Sequence, residues 1–180
     1  MRTRTRSVLS ALSLLLLIGT STLSAQRPQA REGFWLNLGL GWASLGCNDC
    51  DDRLGGGAGA LSLGGTLSEK WQLGGATHVW TRSEDGVTLT VGLVRAMAKF
   101  YPSAAGGFHL IGGLGVASID LEIGGSSGRE TGTGLILGLG YDIRIGRMVS
   151  LTPFWNGVAT QYDNGGDLNF AQIGLGLSIH

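Results

Sequence analysis

The chain of 180 residues carries 13 basic and 13 acidic side chains, 33 glycines and 43% apolar residues. That length suits one domain, and the balanced charge leaves no basic patch for nucleic acid. The glycines keep no G-X-Y period and recur inside apolar runs, which excludes a collagen-like rod and a linker-rich disordered chain.

The first 25 residues read as an export signal. Arg2, Arg4 and Arg6 precede an apolar run at 8–18, and Leu23, Ser24 and Ala25 supply a small-residue cleavage site. The run is shorter than the roughly 17–25 residues of a spanning helix. Cleavage would leave a mature chain starting at Gln26, with residues 26–33 as a short N-terminal segment and 34–180 as the folded domain. Losing the three arginines gives that chain a net charge of −3. No later stretch is long and apolar enough for a transmembrane helix, so any membrane span must use strands.

Eight alternating runs follow, at 34–44, 54–66, 71–82, 87–100, 108–121, 131–145, 149–160 and 168–179. None has convincing helical spacing, and each reaches the 9–11 residues or so that a tilted strand needs to cross a bilayer. Period two assigns the faces. In the first run Phe34, Leu36, Leu38, Leu40 and Trp42 oppose Asn37, Gly39, Gly41 and Ala43. In the sixth, Leu135, Leu137, Leu139, Tyr141, Ile143 and Ile145 oppose Gly134, Gly138, Gly140, Asp142 and Arg144. In the last, Ile173, Leu175, Leu177 and Ile179 oppose Gln172, Gly174, Gly176 and Ser178. The fourth run puts Val87, Leu89 and Val91 in phase with Arg95 and Lys99, for which a bulge is the expected cause.

Linkers alternate as well. Residues 67–70, 101–107 and 146–148 are short or rich in turn formers. Residues 45–53, 83–86, 122–130 and 161–167 are mostly longer and hold Asp49, Asp51, Asp52, Glu84, Asp85, Glu122, Glu130, Asp163 and Asp167. Tight turns on one side and longer loops on the other are the layout of an outer-membrane barrel. In hydrocarbon every backbone polar group must be paired, which a closed barrel achieves with strands alone. Its outer face must be apolar, while eight strands leave a lumen that side chains can fill. The expected fold is therefore all-β, an eight-stranded antiparallel up-and-down transmembrane β-barrel. Trp35, Trp42, Trp71, Trp80, Phe100, Tyr101, Phe108, Tyr141, Phe154, Trp155 and Tyr162 lie mainly near run ends and are expected in interfacial girdles.

The signal, the eight runs, the last strand "FAQIGLGLSIH" and the hairpin "KFYPSAAGGFHLIGGLGVAS" at 99–118 resemble the OmpA/OmpX-like outer-membrane β-barrel proteins. The resemblance spans nearly all of residues 33–180. It implies residence in the cell outer membrane, contact with outer-membrane lipids and lipopolysaccharide, folding by the barrel-assembly machinery, and a monomer. Many family members end on an aromatic residue that this machinery reads, whereas this chain ends Ser178-Ile179-His180.

Few residues suggest chemistry. Cys47 and Cys50 in an exported chain point to a small disulfide, with free thiols or a metal pair as alternatives. Asp49, Asp51 and Asp52 are weak candidates for a divalent cation; they lack EF-hand spacing, and no metal or other cofactor is expected. Arg82, Arg95, Lys99, Asp142 and Arg144, with Asn156 and Gln172, are expected to face the lumen, where charges must pair. His78 has Ser83 and Glu84 nearby in sequence, but no nucleophile elbow is present. The expected function is non-enzymatic: a plugged outer-membrane barrel with a structural or surface-interaction role through short acidic loops. The alternatives are a small transport pore, a lipid-acting barrel, or a soluble lipocalin-like barrel with Leu135, Leu137 and Leu139 around a ligand.

Overall fold

The computed structural model describes residues 31–47, 50, 52–124 and 126–180. The signal and residues 26–30 lie outside the described residues. The strands are β1 (Phe34–Gly46), β2 (Leu54–Ser68), β3 (Trp71–Glu84), β4 (Val87–Phe100), β5 (Phe108–Ile123), β6 (Ser126–Tyr141), β7 (Ile143–Arg144), β8 (Val149–Tyr162) and β9 (Asp167–Ile179). Sequence neighbours pair antiparallel except β6 and β7, which both pair with β8, and β1 pairs with β9 from Leu36↔Ile179 to Gly46↔Asn169, which closes the sheet. The two-residue β7 continues β6 past a break at Asp142, so the barrel has eight staves.

The outer face is apolar. Leu40 and Leu114 are about 70% exposed, and Leu135, Leu137 and Leu139 point outward too. This overturns the lipocalin-like alternative, which required those three leucines inside. Small residues face inward beneath them. A Cβ on Gly39 would lie 2.9 Å from Phe154 Cε1 and one on Gly174 2.7 Å from its Cζ, so two bare positions make room for one inward ring.

Three expectations need correction. First, β4 contains no bulge. It stays in register with β3 from Trp71↔Phe100 to Glu84↔Val87, and with β5 along its whole length. Val91 and Leu93 face inward with Arg95 and Lys99 because the lumen is apolar at one end and charged at the other. Second, Trp35, Trp80, Tyr101 and Tyr162 are buried inside, not in a girdle, and Phe154 also turns inward. Their phase along the strand overrides their position near its ends. Phe34, Trp42, Trp71, Phe108 and Trp155 are the exposed aromatics, with Trp71 packed on Phe100 at 4.7 Å.

Third, the polar loops are shorter than expected. Residues 126–130 belong to β6, with Arg129↔Asp120 and Glu130↔Ile119 in register. Strands that rise beyond a bilayer can be polar on both faces, which a sequence pattern reads as loop. The β3–β4 connection is only Asp85-Gly86, both at positive φ (50° and 78°). Aspartate followed by glycine is favoured in the type I′ turn of a two-residue hairpin.

Candidate functional site: the filled lumen

The lumen has two layers. At the end away from the chain termini, Ala43, Leu45, Ala58, Trp80, Val91, Leu93, Ala117, Ile136, Val158, Tyr162 and Phe170 form one buried apolar cluster. Each comes from the inward phase of its strand. The Trp80 indole donates to Ala43 O at 3.2 Å, so its one polar atom is satisfied.

Below it lies a polar layer centred on Asp142. Its side chain is fully buried at the break between β6 and β7. Asp142 Oδ2 accepts from the Tyr101 hydroxyl at 2.9 Å, and Oδ1 accepts from Thr152 Oγ1 at 2.8 Å. Thr152 in turn accepts from Ser178 at 2.9 Å, and Ser178 accepts from Asn37 Nδ2 at 2.7 Å. Once Thr152 spends its proton on the carboxylate, the direction of every bond from Asn37 onward is set. Such a chain polarises each member in turn. His109 Nδ1 and His180 Nε2 each stand 3.8 Å from Asp142 Oδ2. His180 thus tucks inward at the end of β9.

The cations are arranged separately. Arg95 Nη1 donates to His78 Nδ1. The Lys99 ammonium sits 4.2 Å from the centre of the Trp35 ring, a favourable cation–π contact. Arg31 closes the terminal mouth. Its guanidinium stacks 3.5 Å over the Tyr101 ring and donates to the carbonyls of Ala104 (2.9 Å), Gly106 and Glu69 (3.4 Å). Sequence reasoning missed Arg31, because it precedes the first alternating run and carries no pattern of its own.

The five predicted lumen charges do not form one cluster. Arg95, Lys99 and Asp142 are buried in the polar layer. Arg82 stands at the far rim, bonded to Glu84 Oε2 at 2.5 Å. Arg144 is half-buried at the terminal end, where Nη2 donates to Arg147 O at 2.9 Å. Asn156 and Gln172 are buried. The far rim holds two further arginines: Arg129 lies 3.5 Å from Asp120, and Arg53 donates to Asn169 Oδ1 at 2.7 Å.

Cys47 and Cys50 are disulfide-bonded. Asp52 is exposed, whereas Asp49 and Asp51 lie outside the described residues. No cluster of three metal-ligating side chains exists among the described residues. His78 is buried in the barrel, while Ser83 and Glu84 sit exposed on the rim, bonded to Thr88 and Arg82. The structure does not bring these three together.

Residues 13–180 match the family described as outer membrane protein beta-barrel domain. None of the curated proteins compared matches the chain. Among solved structures, Neisserial surface protein A is similar at 13% identity and TM-score 0.67, covering 84% of this chain and 99% of that one. Ail, the attachment invasion locus protein of Yersinia pestis, is similar at 14% identity and TM-score 0.59, covering 82% and 99%. A second Ail structure, at TM-score 0.60, is a complex with the heparin analogue sucrose octasulfate.

Proposed function

The chain belongs to the outer membrane protein beta-barrel domain family, resides in the cell outer membrane, and from that premise we propose that it is a closed, non-enzymatic barrel acting as a structural or surface-interaction protein. Residues 1–25 serve as its cleaved signal, 26–33 as a short leader into the barrel, and 34–180 as the barrel itself. The end with both chain termini faces the periplasm. The opposite rim faces outward and displays Asp52, Glu84, Asp85, Asp120, Glu122, Glu130, Asp163 and Asp167 against Arg53, Arg82 and Arg129.

The observation that carries this reading is the two-layer filling of the lumen. An apolar cluster lies across one half, and the Asp142 network with the Arg31 latch fills the other. Ions crossing the barrel would have to shed water in the apolar layer, which is costly. Among the described residues the polar layer links Asp142 to Tyr101, Thr152, Ser178 and Asn37, and we read that network as support for the barrel. Partners are then sought at the outer rim: outer-membrane lipid and lipopolysaccharide, whose phosphates could share divalent cations with the acidic side chains. The rim's acidic excess disfavours polysulfated sugars such as the heparin analogue bound to Ail.

Efflux from proteoliposomes tests the closed state. Vesicles loaded with a small sugar should retain it as well with the wild-type barrel as without protein. Rapid efflux would instead support the small transport pore.

A further inference from the structure

Between the two layers lies an enclosed chamber lined by Asn37, His78, Arg95, Lys99, His109 and Asn156, among others. About 20 Å³ of it can be occupied by a water-sized sphere, enough for one small species. Two of the lining side chains, Arg95 and Lys99, are permanently or ordinarily cationic, and no carboxylate lines it. Asp142 acts on Lys99 from outside the lining, but one carboxylate does not balance two cations. Both are buried, and buried charge without a counter-charge is strongly unfavourable.

The hydrogen bonds point the same way. A guanidinium can only donate, so His78 Nδ1, which faces Arg95 Nη1, carries a lone pair and Nε2 carries the proton. The Asn156 amide atom 3.2 Å from His78 Nε2 is then its oxygen. That leaves the NH2 at the end of the amide that has no partner. Arg95 Nε is also buried with no partner, although Arg95 is only 5% exposed. The lining thus includes unpaired donors in a field of positive charge, beside one unpaired acceptor, His109 Nε2.

We propose that this chamber binds one small monovalent anion, chloride or a halide of similar size, on Arg95 Nε–H with Lys99 and the Asn156 amide around it. The anion neutralises part of the positive charge that Asp142 alone leaves unbalanced, and so locks the middle of the barrel. The inference rests on the closed-barrel reading. An open pore would show itself separately, as conductance.

The probe is bromide. Protein refolded from urea in sodium bromide and crystallised should give one anomalous scattering peak inside the barrel, within hydrogen-bond distance of Arg95 Nε. Unfolding in lipid should be about tenfold slower in bromide or chloride than in gluconate of equal ionic strength, as expected for a site near tenfold saturation. Arg95→Gln should abolish that difference. If this variant fails to fold, Lys99→Met serves, with a weakened halide effect. A chamber free of anomalous signal in wild-type crystals overturns the anion site. With a barrel that stays closed in bilayers, that result would leave the closed-barrel reading standing.

Discussion

Replacing Asp142 by asparagine preserves the side chain's volume and removes the one carboxylate in the polar layer. The aspartate receives two hydrogen bonds, from Tyr101 at 2.9 Å and Thr152 at 2.8 Å. An asparagine can present only one oxygen, so one hydroxyl meets an NH2 and must turn away. If Thr152 turns, it competes with Ser178 and the order of bonds back to Asn37 is lost. Hydrogen bonds to charged groups contribute about 1.5–3 kcal/mol each. Breaking a buried charge constellation by removing one partner costs about 3–5 kcal/mol. The second figure applies here, because Lys99 and Arg31 remain buried after the carboxylate is gone. Urea titration of the barrel in lipid vesicles, read by tryptophan fluorescence and by gel mobility without heating, measures the loss. Thr152→Val removes one of the two bonds and leaves the carboxylate, so it should lose about 1.5–3 kcal/mol. An Asp142→Asn barrel within about 1 kcal/mol of wild type would refute the claim that this residue organises the layer.

Leu137→Arg puts a charge on the lipid face and should hinder insertion by about 2–4 kcal/mol if the site lies near the midplane. Gly138→Arg should instead fail through overpacking against Trp155 O and Asn156, so equal and negligible effects on folding into liposomes would contradict the facing. Gly115→Ala should destabilise the β4–β5 pair, because a Cβ there would lie 2.5 Å from Arg95 Cα, whereas Gly57→Ala has open space and should be silent in the same urea titration. The Cys47–Cys50 bond closes so small a loop that chain entropy predicts a loss of at most about 2 kcal/mol on reducing it. Thiol labelling of intact cells should require reductant, and full labelling without it would contradict the bond.

The outer surface was legible because lipid imposes a strict rule on alternate residues. Leu135, Leu137 and Leu139 had to face it once Gly134, Gly138 and Gly140 shared the other phase. The interior obeys no comparable rule. Leu93, Ile136 and Val158 are as apolar as the lipid-facing residues, so hydrophobicity alone did not separate the two sides. The same ambiguity made β4 look bulged and put Trp35 and Trp80 in a girdle. Residues 126–130 looked like loop because nothing apolar marks a strand that stands in water. The polar layer was half legible: Asp142 showed itself by its phase in a clean run, and Arg95 and Lys99 were expected in the lumen even though Val87, Leu89 and Val91 share their phase. Arg31, Tyr101 and His180 meet it from turns and termini, where period two gives no guidance.

Single-channel recording in planar bilayers tests the closed barrel most directly. The wild-type protein, inserted from detergent and verified as folded by its gel mobility, should show no sustained current at moderate voltage. Asp142→Asn should also stay closed if it inserts, because only the lower layer is loosened and the apolar cluster around Leu93 and Ile136 stays in place. Large, stable, porin-like conductance from the wild-type chain would contradict the proposed closed barrel.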